Sequence, residues 1–172
     1  MTETPQQYTA RIMSNLTGQD PLKTQAATPK KLERLVKDAP SAKLRKRPAP
    51  DKWSVAEIIA HLADAEIVLG FRVRLILGAP GVPIQAFNQD VWAEAGHYAK
   101  RNPHASLAQL RAAREANVAL YKSLTAEQWK LWGMHSERGQ ESVEHIVRMI
   151  AGHDLNHLNQ IERILAPKKK TA

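Results

Sequence analysis

The segment 142–166 carries the feature that most constrains the fold of this chain, an apolar stripe interrupted by polar side chains. At about 100° per residue, a helix here places several aliphatic side chains within about 60° of Ile150. These side chains are Val143, Ile146, Val147, Ile161, Ile164 and Leu165. His157 falls near the centre of the stripe, and His153 and Asp154 fall inside it. We therefore expect this helix to bury polar groups together with its apolar face.

The two histidines of this stripe are four residues apart, so a helix presents both imidazoles on one face, separated by about 6 Å along its axis. Burying such groups without partners costs a few kcal/mol each, and something must satisfy them. A metal ion is the simplest candidate. The alternative is a pair of core histidines with hydrogen-bond partners in the protein. The spacing favours His153 and His157 as metal ligands.

The bulk composition limits the chemistry that the chain can use. A length of 172 residues suits one domain, which we expect at 1–166, with a basic disordered tail at 167–172. The sequence contains no cysteine, so a metal site must use nitrogen and oxygen ligands. No signal-peptide pattern or membrane-length apolar run is present, and we expect a soluble cytoplasmic protein.

The formal net charge of +8 raises the possibility of nucleic-acid binding. The basic residues cluster in a Pro-rich stretch at 43–47, which we expect to be a loop, and at Lys168–Lys170 in the tail. Neither cluster is interleaved with aromatic residues that could stack bases. A solvated loop and a frayed tail are the favoured explanations, and a nucleic-acid partner is not expected.

Capping signals divide the chain into helices. We expect helices to begin at Thr4-Pro5, Thr28-Pro29, Ser54, Ser106, Thr125 and Ser142. The helix from Thr28 should be short and end before Pro40, whereas the helix from Ser54 should run to about Leu77. Trp53 directly precedes the Ser54 capping box and reads as a hydrophobic staple.

The helical pattern predicts an all-α protein, a four-helix bundle with a long crossover loop and short extra helices. The crossover spans Gly78 to Pro103, with a short helix near Phe87–Trp92. Long structured loops over a bundle commonly shape a site.

A catalytic metal site needs a third protein ligand. His61 lies about 60° from Ile58 on the shoulder of its helix stripe and can point into the bundle. His145 falls about 140° from the stripe of the last helix, so we expect it to be exposed. His135 lies in what reads as a loop before that helix. It is a candidate for an additional polar group near the metal, and an exposed loop position is the alternative.

Two segments resemble signatures of the DinB/YfiT-like metalloenzyme superfamily. The first is Lys52–Glu66, which contains His61, and the second is the last helix with its His-x-x-x-His motif followed by Gln160-Ile161. The spacing between these segments, the Asn88–Trp92 crossover and the His135 loop are also similar. The resemblance covers most of the chain apart from residues 1–50 and the basic tail.

The resemblance implies an up-and-down-type four-helix bundle with a crossover, often dimeric, that holds a divalent metal through three histidines. Carried onto this sequence, these are His61, His153 and His157. Some relatives are thiol-dependent transferases or isomerases that use low-molecular-weight thiols, and many have no assigned reaction. The name of the superfamily does not imply a DNA polymerase.

Asp154 lies between the paired histidines, and His-Asp-x-x-His has the spacing of the metalloprotease motif His-Glu-x-x-His, in which the carboxylate is a general base. Aspartate is one methylene shorter, and no third ligand of the metalloprotease type follows. We therefore favour Asp154 as a partner of a ligand or as a link to a neighbouring helix, with the base role as the alternative. Gln160 could bond to a ligand. Asp154 and His135 are the candidate catalytic residues.

Three neutral imidazoles leave a divalent ion, such as Zn, Ni or Fe, with its full charge and with open positions. The leading hypothesis is an enzyme that activates water or a small exogenous thiol for attack on a small electrophilic substrate, working as a homodimer away from membranes. One alternative is a non-catalytic, metal-stabilised bundle that serves as a binding or stress-response protein. Nucleic-acid binding is the third hypothesis.

Overall fold

The computed structural model describes residues 3–167, so most of the predicted basic tail, residues 168–172, lies outside the described residues. The α-helices in this range are α1 (Pro5–Ser14), α2 (Pro21–Val36), α3 (Ser41–Arg45), α4 (Val55–Gly78), α5 (Gln89–Ala95), α6 (Pro103–Ser123), α7 (Ala126–Lys130) and α8 (Val143–Leu165). A 3₁₀ turn lies at Tyr98–Lys100. The strands are β1 (Pro83–Ile84), β2 (Trp132–His135) and β3 (Gly139–Ser142).

Helices α2, α4, α6 and α8 form a four-helix bundle, and α1 packs along α8. The predicted fold class is therefore confirmed. None of the helices within 3–167 is both long enough and apolar enough to cross a membrane.

Two apolar clusters show how the bundle helices run. The first apolar cluster joins the beginnings of α4 and α6 to the ends of α2 and α8; its members include Leu32, Ile58, Leu110 and Ile161. The second apolar cluster joins the ends of α4 and α6 to the beginning of α8; its members include Ile76, Tyr121, Val147 and Ile150. Helices α4 and α6 are therefore parallel, and the crossover between them must return along the length of the bundle.

Six polar side chains of the bundle helices lie between these two clusters. All of them are buried: Gln25, Glu66, Arg114, Asn117, Asp154 and His157. This buried polar layer is where the candidate site lies.

Helix α2 begins earlier than the sequence predicts. The expected start at Thr28-Pro29 is wrong, because α2 begins at Pro21 and contains Pro29 in its interior. The side chain of Asp20 caps the helix by accepting from the backbone N–H of Lys23 at 2.9 Å. Pro29 has no N–H for the carbonyl of Gln25, four residues earlier. The guanidinium of Arg114 donates to this carbonyl at 3.0 Å, so a tertiary contact replaces the missing helical bond.

The other predicted helix starts are correct with one exception. Ser54 forms the capping box expected for α4, and Ser142 caps α8 through the backbone N–H of His145. Helix α6 begins at Pro103 rather than at Ser106, because Asn102 accepts from two backbone N–H groups at its N-terminus. Pro at the first helical position needs no acceptor and fits this start.

The basic stretch 43–47 is partly helical, not the loop that the sequence suggests, because it includes the end of α3. Three of its side chains bind other parts of the chain. Lys43 donates to the carbonyl of Leu165, Arg45 donates to the carbonyl of Ala99, and Arg47 forms an ion pair with Glu57. These contacts leave a smaller free basic surface than the sequence implies.

A small sheet, which the sequence did not predict, joins the beginning of the crossover to the segment between α7 and α8. Strand β1 pairs in parallel with β2, and β2 pairs antiparallel with β3. The strands have two to four residues each, too few for an alternating pattern to be recognised. The sheet places His135 at the end of β2, where it is buried. The expectation of a loop position at His135 is therefore wrong.

We predict that Gly152→Ala weakens the contact between α1 and α8. A Cβ atom at this position would lie 2.3 Å from the backbone oxygen of Ile12, and backbone cannot rotate away as a side chain can. We expect a loss of about 3 kcal/mol, the upper part of the range for overpacking, measured by urea unfolding. Gly78→Ala is the matched control, since no atom lies within 4 Å of its added Cβ. An unchanged midpoint for Gly152→Ala would contradict this packing.

Candidate metal centre

The three predicted ligands converge between two neighbouring helices. His61 lies on the second turn of α4, and His153 and His157 lie on successive turns of α8. The Nε2 atom of His153 is 3.0 Å from Nε2 of His61 and 3.1 Å from Nε2 of His157. All three ligand atoms lie within 4.8 Å of one another. We call these residues the histidine triad.

The spacing of the triad fits a divalent ion. Two nitrogen ligands at about 2.0–2.1 Å from a metal are about 3.0 Å apart at a right angle and about 3.4 Å apart at a tetrahedral angle. The closest nitrogen pairs of the triad, at 3.0 and 3.1 Å, correspond to such an arrangement. A donor set made only of imidazole suits Zn, Ni, Co or Fe.

Burial keeps the imidazoles neutral, which is the form that binds metals. Desolvation, together with the nearby His157, lowers the pKa of His61 to about 3. Desolvation also lowers the pKa of His157 to about 4. The pKa of His153 is lowered well below its ordinary value, first by burial and then by the other two rings. At neutral pH each ring therefore has a nitrogen lone pair for a cation.

The side chain of Gln160 fixes the tautomer of His157. Its amide oxygen lies 2.9 Å from Nδ1 of His157, one turn along α8. An amide oxygen only accepts hydrogen bonds, so Nδ1 donates and Nε2 retains its lone pair for the centre of the triad. The suggestion that Gln160 bonds to a ligand histidine is confirmed as a contact.

We predict that Gln160→Ala weakens metal binding about 10- to 100-fold, the usual effect of removing a hydrogen-bond partner of a metal-binding histidine. A competition titration with a chromogenic chelator would measure the change. Asn159→Ala is the control, because Asn159 is exposed on the same turn. Equal affinities for the two variants would show that Gln160 does not orient the ligand.

Trp53 has a larger role than the predicted staple. It packs against the first apolar cluster, and its ring centroid also lies 4.9 Å from that of His61. The edge of Tyr98 completes this packing at 6.4 Å from Trp53. Trp53 thus covers one side of the His61 ring and is itself packed against Tyr98.

Asp154 forms a link between helices. Both of its carboxylate oxygens contact the guanidinium of Arg114 on α6, with 3.1 Å between Nη2 and Oδ1. Both side chains are almost completely buried. This bidentate ion pair favours the predicted link to a neighbouring helix over the general-base role.

Arg114 connects all four bundle helices, although the sequence analysis did not find it. From α6 it contacts Asp154 on α8, the carbonyl of Gln25 on α2, and Glu66 on α4 at 2.8 Å. Burial alone would lower the pKa of Arg114, but the two carboxylates more than reverse this and raise it. The signal in the sequence is its position: Arg114 lies four residues after Leu110, in line with the apolar stripe of α6.

His135 is not part of the triad. Its Nδ1 accepts from the backbone N–H groups of Glu137 at 3.2 Å and Arg138 at 3.4 Å. It lines a cavity next to the triad together with Arg72.

His145 was expected to be exposed. In the structure it is half-buried and lies 3.8 Å from Glu141.

A cavity of about 90 Å³ gives access to the triad, and His61 and His153 form part of its wall. Half of the other lining residues are apolar: Ala65, Leu69, Phe87, Ile146 and Met149. The other half are polar or charged: Tyr8, Arg72, Gln89, Arg138 and Glu141. A group of a few atoms fits here, in surroundings that strengthen electrostatic interactions.

Fold and site together define a helical-bundle protein with three convergent histidines that could hold a metal ion. Residues 26–161 match the family model of the DinB superfamily, and the chain belongs to this family.

Its relatives include proteins named as candidate metal-dependent hydrolases. One from Oceanobacillus iheyensis is 28% identical over 114 residues, which are 66% of this chain and 65% of the relative. YfiT of Bacillus subtilis is 25% identical over 65% of this chain and 64% of its own length. The chain thus matches just under two thirds of these two relatives. A third, from Halalkalibacterium halodurans, is 24% identical over 82% of each chain.

The solved structure of YfiT from Bacillus subtilis has the same fold. The two structures superpose with a TM-score of 0.76, at 22% identity, over 83% of this chain and 84% of YfiT. That structure is described as having an unusual four-helix bundle topology.

Proposed function

We propose that His61, His153 and His157 bind one divalent metal ion, and that the chain is a metal-dependent enzyme acting on a small electrophilic molecule. The observation that carries this proposal is the convergence of three neutral imidazoles, of which His61 and His157 are buried and His153 is partly buried, through their Nε2 atoms. The candidate metal-dependent hydrolases among its relatives support the same class of chemistry.

When bound, a divalent ion on three neutral imidazoles supplies a Lewis acid that makes a nucleophile available from water or a small thiol at neutral pH. The protein holds the site in place. Gln160 orients His157, and Trp53 covers the ring of His61. The small volume of the cavity, about 90 Å³, limits the water that can accompany the reacting group.

The nucleophile is either water or a thiol from another molecule, since the sequence contains no cysteine. A direct test incubates zinc-, nickel- or iron-loaded protein with a chromogenic ester and, separately, with an activated aryl halide in the presence or absence of a low-molecular-weight thiol. Ester cleavage supports the hydrolase, and thiol-dependent loss of halide supports the transferase. Absence of turnover in every combination would contradict both.

The alternative function, a metal-stabilised binding protein without catalysis, makes a different prediction for His61→Ala. If the site is catalytic, this variant no longer turns over the substrate that the parent protein accepts, while its melting temperature without metal stays close to that of the parent. A large loss of stability with no activity to lose would favour the structural role. The measurement is a thermal melt, with and without metal, beside the assay.

We also propose a homodimer, which large exposed apolar side chains on α4 and α5 support. Phe71 is 57% exposed and borders a cavity with Val91 and Trp92, which are also exposed. Such clusters on a protein surface commonly mark interfaces. We predict that Phe71→Glu shifts the sedimentation coefficient from dimer to monomer, whereas Arg148→Glu on exposed α8 surface does not. A monomeric parent protein would contradict the proposal.

A further inference from the structure

A second cavity, of about 290 Å³, adjoins the cavity at the triad. The two share the side chains that separate them: Tyr8, Arg72, Phe87, Gln89 and Arg138. Only the second cavity is lined by His135. A molecule that extends from the triad would therefore pass Arg72 and reach His135.

His135 carries a hydrogen-bond donor without a partner. Because its Nδ1 accepts from two backbone N–H groups, the ring proton lies on Nε2. This Nε2 is buried and has no hydrogen-bond partner in the part of the chain that the structure describes. Burial lowers the pKa of His135, with Arg138 acting in the same direction, so the neutral ring with a single donor is the form at neutral pH. A buried donor of this kind requires an acceptor.

Arg72 is a buried cation that lacks a carboxylate partner. Its side chain is nearly inaccessible, and no carboxylate oxygen within 3–167 lies within 4 Å of its guanidinium. Its Nη2 donates to the carbonyl of Gln85, and the ring of Phe87 covers one side at 5.4 Å. Burial lowers its pKa, yet the guanidinium stays charged. Buried charges are normally paired, so this one requires an anion.

The other charged groups at the cavity form no ion pair with Arg72. Arg138 binds Glu141 through Nε and Nη2, at 2.6 and 3.0 Å, so these two charges balance. Glu3 is paired with Arg11, and Glu137 is exposed. Neither of these carboxylates neutralises Arg72.

We propose that this second cavity binds an oxyanion, anchored by the guanidinium of Arg72 and by Nε2 of His135. A carboxylate or phosphate group accepts from both donors and neutralises the buried charge. If the triad is the reactive centre proposed above, its substrates are small anionic molecules. The oxyanion of such a substrate binds to Arg72 and His135, and its reacting end lies towards the triad. This last step rests on the proposed function, whereas the anion site itself does not.

The test is calorimetric titration of the full-length chain with inorganic phosphate and, separately, with acetate, at constant ionic strength kept with sodium chloride. The His157→Ala variant is titrated in parallel, so that anions bound by a metal ion are recognised. We expect saturable binding of at least one anion to both proteins, and the preferred anion separates a phosphate from a carboxylate site. Arg72→Gln should weaken it about 10- to 100-fold, the effect of losing a buried charged hydrogen-bond donor.

Arg148→Gln is the matched control, since it removes the same charge from an exposed position on α8 and should leave the affinity unchanged within about twofold. If Arg72→Gln does not fold, His135→Phe is used instead, because it keeps an aromatic ring while it removes the Nε2 donor together with the Nδ1 acceptor of the Glu137 and Arg138 N–H groups. Loss of affinity in either variant, with the control unchanged, supports the site.

Two outcomes overturn the inference without touching the proposed function. One is the absence of saturable anion binding in a protein that binds metal. The other is binding that disappears in His157→Ala but survives in Arg72→Gln and His135→Phe, which places the anion at the triad. Conversely, anion binding in a protein that retains no metal would uphold the anion site and remove the proposed function.

Discussion

The His157→Ala variant is expected to lose stoichiometric binding of a divalent metal. His157 supplies one of three ligand atoms, and its loss leaves His61 and His153 with two nitrogens and a gap in a buried site. Loss of a hydrogen-bond partner alone costs about 10- to 100-fold in affinity, so loss of the ligand should exceed 100-fold. Elemental analysis after dialysis measures the metal content directly.

The same variant should lose the stabilisation that metal gives to the folded state. A ligand at about 100 times its dissociation constant stabilises a protein by about 2.7 kcal/mol, and this gain disappears when binding does. The control is His145→Ala, since His145 lies on the same helix but outside the triad. A His157→Ala protein that still carries one ion per chain, and melts higher with metal, would contradict the ligand assignment.

The Arg114→Met variant is expected to lose about 3–5 kcal/mol of unfolding free energy, the cost of removing one partner from a buried ion pair. Methionine keeps much of the volume but leaves Glu66 and Asp154 buried without a cation, and it removes the donor to the carbonyl of Gln25. Urea unfolding in the presence of a chelator measures this loss separately from any effect of metal.

Two further variants show whether the loss comes from unpaired charge. Arg111→Met removes an arginine one turn earlier on α6, whose ion pair with Glu33 is about half exposed, at 44% and 53%, and should cost less than about 1 kcal/mol. Replacing Glu66 and Asp154 with glutamine and asparagine in the Arg114→Met protein should recover part of the stability, because no uncompensated charge remains. A cost for Arg114→Met no larger than that for Arg111→Met would contradict the role of the network.

The sequence predicted the features that local rules control. In the Ser54 and Ser142 caps the serine oxygen accepts from a backbone N–H only three residues later, so they can be recognised from short segments. The histidine triad could be predicted for a similar reason: two ligands share a helix face, and the resemblance to a known family supplied His61. Its convergence in space is a finding of the structure.

The incorrect predictions concern local sequence patterns whose structural outcome depends on a residue far away in the chain. Pro29 is typical of a helix start, but it lies inside α2. The carbonyl of Gln25, which proline leaves without a helical partner, accepts from Arg114, 89 residues later in the chain. His135 reads as an exposed loop residue, but pairing of β2 with β1 and β3 buries it. Arg72 and Arg114 lie in apolar stripes, where a charged residue is the signal of a buried ion pair or of a ligand site.

The most direct test of the metal centre is an anomalous difference map from crystals of the unmodified chain grown with zinc, with data collected on both sides of the zinc absorption edge. We expect a single strong peak between α4 and α8, at about 2.0–2.1 Å from the Nε2 atoms of His61, His153 and His157. If crystals of protein that binds zinc in solution show no peak among these three rings, or show the peak only at other residues, the histidine triad is not the metal site.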